Sequence, residues 1–275
     1  MDTVLLNDGN HIPKESFGTY RIPPGAQTYE VVAAALKVGY RSLDTASLYR
    51  NEADVGRAIR DSDIPRSSIF ITTKVWDVDQ GFERAQVALQ ESLAALDMDY
   101  IDLYLIHSPR PGKDLRLVTW RALVALKDRG LARSIGVSNF GIRHLEEISS
   151  AGLPLPSVNQ IDRHPLLPRH LLARYCAEKG IVLQAHSPLM RGRKWDHPIL
   201  QLCAAKYGAS VAQVLLAWAA HTGDCFVVGD RSGRNIEGNF DATNRPQLTE
   251  EDIRALVILS KEEYHVMGKD LTLVD

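Results

Sequence analysis

Four side chains that can hold or exchange a proton stand at the ends of successive apolar runs in this sequence. Asp44 ends one run, and Tyr49 follows it in the next loop. Lys74 and His107 each come directly after a later run. If these runs are parallel strands of one sheet, their carboxyl ends meet at one edge and the four side chains share a site. The pattern therefore indicates proton-transfer chemistry at that edge.

The tyrosine of this set is a candidate proton donor. A free phenol has a pKa of about 10 and gives up its proton reluctantly at neutral pH. An ammonium group nearby, such as that of Lys74, stabilises the phenolate and lowers this pKa. Asp44 can keep the lysine charged through a charge-assisted hydrogen bond. His107 then orients a substrate carbonyl or shares in the proton transfer.

Each of the four residues also has an ordinary structural interpretation. Asp44 could cap the turn after its strand, and a single tyrosine or lysine usually lies at the surface. His107 could be a hydrogen-bonded histidine of the core. Only the joint position of the four residues at consecutive strand ends favours the catalytic interpretation.

Short runs typical of strands alternate with amphipathic segments along the chain. The amphipathic segments carry apolar residues at helical spacing, as in Val211, Val214, Leu215 and Trp218. This alternation predicts an α/β fold in which eight parallel strands close into a (β/α)8 TIM barrel, with one domain spanning residues 1–275. The eight predicted strands are residues 17–19, 41–44, 69–73, 101–106, 134–137, 158–161, 181–185 and 225–228.

An open, doubly wound sheet would show the same local alternation. That fold usually binds a dinucleotide at a Gly-x-Gly-x-x-Gly turn after its first strand, and no such motif follows residues 17–19. The barrel is therefore the favoured architecture. Residues 4–12 predict an N-terminal β-hairpin with its turn at Asp8 and Gly9, placed to cover the bottom of the barrel.

The composition argues against several classes of protein. Of the 275 residues 45% are hydrophobic and 24% charged, and the net charge of -2 predicts neither a nucleic-acid-binding face nor a polybasic membrane anchor. The three cysteines form no CxxC pair, which favours reduced thiols in the cytoplasm. No signal peptide or long apolar span is evident. We expect a cytoplasmic monomer that binds neither nucleic acid nor membrane.

Several longer stretches resemble the aldo-keto reductases, in particular short-loop members such as 2,5-diketogluconate reductase or prostaglandin F synthase. The resemblance implies reversible reduction of a small aldehyde or ketone, with hydride from nicotinamide C4 and a proton from Tyr49. NADPH is the expected cofactor, with NADH as the alternative. The matching stretches run in family order through residues 43–52 (LDTASLYRNE), 73–76 (TKVW), 102–107 (DLYLIH), 134–140 (SIGVSNF), 159–160 (NQ), 164–165 (HP) and 187–189 (SPL).

The resemblance also assigns residues to the site, and it implies no metal. The implied catalytic tetrad is Asp44, Tyr49, Lys74 and His107. The implied substrate pocket contains Tyr20, Trp76, His107 and Ser108. The implied cofactor contacts are Thr19, Asp44, Ser138, Asn139, Gln160, His186, Ser187, Leu189, Arg231, Arg234 and Asn239.

The nicotinamide end of the implied site combines familiar and unusual residues. Ser138, Asn139 and Gln160 offer both the donors and the acceptors that a primary carboxamide needs. His186, however, stands where the family usually has an aromatic ring stacked on the nicotinamide. Because histidine titrates near neutral pH, this position predicts a pH-dependent affinity for the cofactor.

The phosphate end departs further from the family pattern. Gly229 and Asn235 stand where the family has a lysine and an arginine that bind the 2′-phosphate. Arg231 and Arg234 can attract this phosphate instead, whereas Asp230 would repel it.

The substrate side also departs from the family pattern. Ser108 replaces a tryptophan of many relatives, which predicts a larger or more polar pocket. Residues 109–115 and the segment after Leu248 are short, which predicts an open pocket.

Two other functions remain open on the sequence alone. A regulatory or sensor barrel that binds cofactor without turnover would account for the altered phosphate loop, but it has no need of Tyr49 beside Lys74. A metal-dependent barrel hydrolase needs converging histidine and carboxylate ligands. His164 and His170 show no recognisable ligand spacing.

Overall fold

The computed structural model describes residues 2–222, 225–240, 245–262, 266 and 269–275. The chain begins with an antiparallel hairpin of β1 (Thr3–Leu5) and β2 (His11–Pro13). The remaining strands run parallel to one another. They are β3 (Glu15–Gly18), β4 (Ser42–Asp44), β5 (Phe70–Val75), β6 (Ile101–Ile106), β7 (Ala132–Ser138), β8 (Val158–Asp162), β9 (Val182–His186) and β10 (Cys225–Val228).

These parallel strands form a closed barrel in chain order, because β10 pairs with both β9 and β3. The predicted (β/α)8 barrel and its N-terminal hairpin are therefore confirmed. Strand β5 continues to Val75 instead of ending at Thr73, so Lys74 lies within a strand. The prediction ended this strand too early because a charged residue in a strand is a poor sign of burial, and here the charge is paired inside the barrel.

Helices connect the strands and cover the outside of the barrel. Within the described residues no single helix is long and apolar enough to cross a membrane, although the helices Pro198–Tyr207 and Val211–His221 together have the length and composition across an 89° bend. The helices are α1 (Ala26–Val38), α2 (Glu52–Arg60), α3 (Phe82–Leu96), α4 (Lys113–Asp128), α5 (Ile142–Ser150), α6 (His170–Glu178), α7 (Pro198–Tyr207), α8 (Val211–His221), α9 (Ile236–Phe240) and α10 (Glu250–Glu262).

The N-terminal hairpin closes the bottom of the barrel, as expected. Leu6 and Ile12 are buried and pack with Leu103, Leu105 and Val158 from the barrel strands. This apolar plug leaves the opposite end, where the strands terminate, as the accessible one.

The helices α2 and α3 approach each other closely at a glycine. The backbone of Gly56 lies against the last turn of α3, and a Cβ atom there would overlap the carbonyl group of Leu96. Glycine in a helix costs about 1 kcal/mol relative to alanine. We therefore attribute Gly56 to this contact and not to chain flexibility.

We expect Gly56→Ala to destabilise the protein by about 1–3 kcal/mol, because overpacking outweighs the gain in helix propensity. The measurement is the free energy of unfolding in denaturant. Gly238→Ala in α9 is the matched control, since a Cβ atom there would meet nothing within 4 Å. A Gly56→Ala variant as stable as the wild type would contradict the contact.

Candidate active site

A cavity of about 1110 Å³ opens at the carboxyl ends of the barrel strands. It is lined by nearly all the residues that the sequence predicted for the site, from Tyr20 to Asn239. Thr19, Lys74 and Arg234 are the predicted residues that do not line it. The barrel thus brings together side chains that lie far apart in the sequence.

The lysine of the predicted tetrad lies behind the cavity wall. Lys74 is 1% exposed, and its Nζ atom donates to Asp44 Oδ1 at 2.6 Å and to the Thr45 carbonyl oxygen at 2.9 Å. Burial lowers the pKa of Lys74, and the Asp44 carboxylate opposes this effect. The two residues form the buried ion pair that the sequence predicted.

Tyr49 lies on the 3-10 turn Ser47–Tyr49, directly in front of this ion pair. The centre of its ring is 5.3 Å from Lys74 Nζ, 5.8 Å from the His107 ring centre and 5.1 Å from that of Tyr20. The structure therefore brings Tyr49, Lys74 and His107 to a shared position.

The net effect of this arrangement is to raise the pKa of Tyr49, because burial and Asp44 outweigh the acidification expected from Lys74. Burial, and next the charge of Asp44, raise the pKa of Tyr49 well above its ordinary value. The physical reason is that Asp44 lies at 2.6 Å from the ammonium group and offsets its field, while loss of solvent disfavours the phenolate. The phenol consequently holds its proton at neutral pH.

His107 is a neutral imidazole in this cavity. Burial, followed by the charge of Lys74, lowers its pKa well below the ordinary value. Its ring packs edge-on against Trp76 at 5.0 Å between ring centres, and its Nδ1 atom is buried without a hydrogen-bond partner among the described residues. A neutral imidazole carries one N–H group, which suits it to donate to a carbonyl oxygen.

Ser108 does not offer its hydroxyl group to the cavity. This hydroxyl donates to Asp77 Oδ1 at 2.5 Å, and the Ser108 carbonyl oxygen accepts from Gln80 Nε2 at 2.8 Å. Ser108 lines the cavity, and its expected effect on the size or polarity of the pocket stays a prediction. Its hydrogen bonds instead tie the loop after β6 to the loop after β5, which carries Trp76.

Thr19 is likewise turned away from the cavity. It is fully buried, and its hydroxyl group donates to the Asp44 carbonyl oxygen at 3.2 Å and to Asn51 Oδ1 at 3.4 Å. Thr19 does not line the cavity, and its expected contact with the cofactor stays a prediction. Thr19 joins β3 to the loop that carries Tyr49.

Asn139 is held by hydrogen bonds on both ends of its amide group. Its Nδ2 atom donates to the His107 carbonyl oxygen and to Ser138 Oγ, each at 3.0 Å. Its Oδ1 atom is 3.1 Å from Nε2 of His186, which therefore carries the imidazole proton. Asn139 has a left-handed φ of 64°, which asparagine tolerates better than most residues.

His186 does not titrate near neutral pH. Burial, and next the charge of Arg191, lower its pKa to about 3. Its Nδ1 atom lies 3.2 Å from Ser187 Oγ, so both ring nitrogens have partners. Contrary to the sequence prediction, we expect no change of protonation between pH 6 and 8, because desolvation and the nearby cations outweigh the Asp162 carboxylate 4.0 Å from Nδ1.

In the loop after β10, the carboxylate of Asp230 accepts hydrogen bonds from the same loop. Asp230 accepts hydrogen bonds from the backbone of Ser232 at 3.0 Å and of Asn235 at 2.5 Å, and so closes its own turn. Arg231 is exposed and lines the cavity, whereas Arg234 is exposed but does not line it. Asp230 thus stabilises the loop, and Arg231 is the better placed of the two arginines.

Several residues that line the cavity were not identified by the sequence analysis. Arg21 and Arg191 both line it, with guanidinium carbons 5.2 and 5.6 Å from the ring centre of Tyr20. No motif marks them, because their position depends on loop geometry alone.

The segment after Leu248 was expected to leave the pocket open, yet the described residues 269–272 line the cavity. Asp270 pairs there with Arg169 at 2.8 Å, which fastens the C-terminal segment to the barrel.

In the described part of the chain, no group of three or more His, Cys, Asp or Glu side chains is arranged to hold a metal ion.

Comparison with known proteins identifies the family. The model of the aldo/keto reductase family matches residues 16–261. Glyoxal reductase of Bacillus subtilis (strain 168) is 43% identical over 262 residues, covering 95% of this chain and 94% of that protein. An aldo-keto reductase structure from a Medee basin deep-sea metagenome library is 36% identical with a TM-score of 0.93, covering 100% of both chains. A Bombyx mori aldo-keto reductase in complex with NADP is 33% identical with a TM-score of 0.87, covering 98% of this chain and 95% of that one.

The chain therefore belongs to the aldo/keto reductase family, and the resemblance seen in the sequence is confirmed. It is an oxidoreductase that acts on carbonyl compounds, and its family uses NAD(P)H. This assignment excludes the sensor barrel and the metal-dependent hydrolase as the principal function.

We expect the pH dependence of cofactor affinity to be the same in the wild type and in His186→Phe between pH 6 and 8, because His186 stays neutral there. The dissociation constant of NADH is the quantity to measure, since the 2′-phosphate of NADPH has a pKa near 6 of its own. A step in affinity that the wild type shows and His186→Phe lacks would contradict the low pKa of His186.

Proposed function

We propose that this protein reduces a small aldehyde or ketone to an alcohol, reversibly and with NADPH, and that Tyr49 donates the proton. The observation that carries this proposal is the grouping of four side chains at one end of the cavity. Tyr49 lies between the neutral imidazole of His107 and the ion pair of Lys74 with Asp44.

The proton donor and the charge that supports it are separate residues. When bound, the reduced nicotinamide supplies the hydride that reaches the carbonyl carbon. Negative charge then develops on the carbonyl oxygen, and the Tyr49 hydroxyl group transfers its proton to it. The ammonium group of Lys74 stabilises the phenolate left behind. Asp44 keeps this lysine protonated despite its burial.

The raised pKa of Tyr49 is compatible with the role of acid. A product alkoxide is a much stronger base than a phenolate, so even a weakly acidic phenol can protonate it. The N–H group of His107 directs the carbonyl oxygen toward Tyr49, while Trp76 packs against His107 and forms an apolar wall.

The residues at the nicotinamide end fit a primary carboxamide. Gln160 uses both hydrogens of its amide nitrogen inside the protein, at 2.6 Å to Asp44 Oδ2 and 2.7 Å to Gln184 Oε1. Its Oε1 atom accepts from no described residue, so a carboxamide N–H group can satisfy it. The carboxamide oxygen needs a hydrogen-bond donor. Ser138 Oγ or Asn139 Nδ2 can supply it by giving up its present hydrogen bond to a backbone carbonyl oxygen.

The phosphates of the cofactor meet positive charge. Arg21, Arg191 and Arg231 line the cavity without a carboxylate within ion-pair distance among the described residues. We assign Arg231 to the 2′-phosphate, which favours NADPH over NADH. The Bombyx relative, solved with NADP, supports this preference. The Bacillus relative is named for glyoxal, which makes small aldehydes the first substrates to test.

Replacing the proton donor should separate turnover from binding. Tyr49→Phe is expected to lower kcat by roughly 100- to 10,000-fold, the range for loss of a general acid, while NADPH binds within about twofold of the wild type. NADPH oxidation with glyoxal and a panel of aldehydes and ketones is the assay. Tyr20→Phe, which alters the neighbouring phenol, is the control and should retain most activity. Wild-type kcat in Tyr49→Phe would refute the proposal.

Removing the proposed phosphate contact should change cofactor preference. Arg231→Ala is expected to weaken NADPH binding about tenfold, the value of one charge-assisted hydrogen bond, and to leave NADH unchanged. Arg234→Ala is the matched control, with a smaller effect because that side chain does not line the cavity. An equal loss for both cofactors, or no loss for either, would contradict the assignment.

A further inference from the structure

Gln184, which no sequence motif marked, lies at the centre of the barrel. It is fully buried in the middle of β9, and its Cα atom is paired directly with that of Gln160 on β8. The Oε1 atom of Gln184 accepts from Gln160 Nε2 at 2.7 Å. Its Nε2 atom donates to Ser16 Oγ at 3.3 Å, and Ser16 Oγ lies 2.7 Å from Ser42 Oγ.

The charged end of this row of hydrogen bonds, Asp44, decides which groups donate and which accept. Asp44 is the partner of Lys74, and an ionised carboxylate only accepts hydrogen bonds. Gln160 must therefore turn its amide nitrogen toward Asp44, which leaves the second N–H group of this nitrogen in need of an acceptor. Gln184 supplies that acceptor through Oε1, and its Nε2 atom then donates to Ser16 Oγ.

The orientation of Gln160 decides which of its atoms faces the cavity. With both N–H groups engaged inside the barrel, the Oε1 atom is the one left for a ligand. If the amide were reversed, its oxygen would meet both the Asp44 carboxylate and Gln184 Oε1, and two acceptors in contact repel each other. An N–H group would then face the cavity and the N–H groups of a carboxamide.

We propose that Gln184 is a positioning residue that, together with Asp44, holds the amide orientation of Gln160, so that the cavity presents an acceptor to the nicotinamide carboxamide. This inference rests on the proposed function, because it requires that the nicotinamide binds beside Gln160. Gln184 itself touches neither cofactor nor substrate; it does not line the cavity.

The test compares the whole cofactor with a fragment that lacks the nicotinamide. Dissociation constants of NADPH and of 2′-phospho-ADP-ribose are measured by calorimetry for the wild type and for Gln184→Met, which keeps the length of the side chain without a comparable acceptor. We expect Gln184→Met to weaken NADPH about tenfold, because Gln160 loses one of the two acceptors that hold its Oε1 atom toward the carboxamide. The fragment should bind within about twofold of the wild type.

Gln184→Glu is the rescuing control. A carboxyl group buried beside Asp44 is expected to stay protonated. Its carbonyl oxygen can then accept from Gln160 and its hydroxyl group can donate to Ser16, as the amide does. NADPH affinity near that of the wild type is expected for Gln184→Glu at pH 6.

The possible outcomes separate this inference from the function on which it rests. Equal weakening of NADPH and fragment by Gln184→Met would show a general disturbance of the barrel and overturn the inference, as would unchanged NADPH affinity. If Gln184→Met cannot be purified, Ser16→Ala removes the acceptor of Gln184 Nε2 and should weaken NADPH selectively, to a smaller extent; no selective loss would overturn the inference. A wild type that binds fragment and NADPH equally well would instead count against the proposed nicotinamide site itself.

Discussion

The buried ion pair of Lys74 with Asp44 is the interaction on which the rest of the site depends. Two charges removed from water are costly unless their remaining hydrogen-bonding capacity is also used. Here the lysine has the Thr45 carbonyl oxygen as a further acceptor, and the carboxylate has the Gln160 amide as a further donor. The ion pair consequently links β4, β5 and β8, and it organises the polar residues at the top of the barrel.

A second set of buried polar contacts holds the loop that carries Tyr49. Asn51 is fully buried, and its Nδ2 atom donates to the carbonyl oxygens of Thr19 at 3.0 Å and Ile22 at 3.1 Å. The next residue, Glu52, accepts a hydrogen bond from Thr73 Oγ1 at 2.6 Å. Thr73 directly precedes Lys74 in the sequence. Because these contacts reach β5 and the segment after β3, the position of Tyr49 relative to Lys74 is set by the barrel and not by the loop alone.

The fold was predictable because its evidence is local and repeated. Each strand is a short apolar run, and the polar residues that end the runs mark the functional edge of the sheet. The predictions that failed concern effects that a local sequence pattern cannot show. Lys74 continues its strand because Asp44 pairs with it from the neighbouring strand β4, and the pKa of His186 is lowered because burial and Arg191 act on it together. Gln184 was invisible in the sequence since its importance lies in its neighbours on β8 and β3.

The raised pKa of Tyr49 also bears on the direction of the proposed reaction. Reduction consumes the proton of the phenol, whereas oxidation of an alcohol requires a group that can take a proton. At neutral pH burial and the charge of Asp44 keep Tyr49 in its protonated form, so the acid needed for reduction is always present and the base needed for oxidation is rare. Desolvation weakens the phenol as an acid, so its proton passes only to a strongly basic oxygen such as the alkoxide formed inside the cavity.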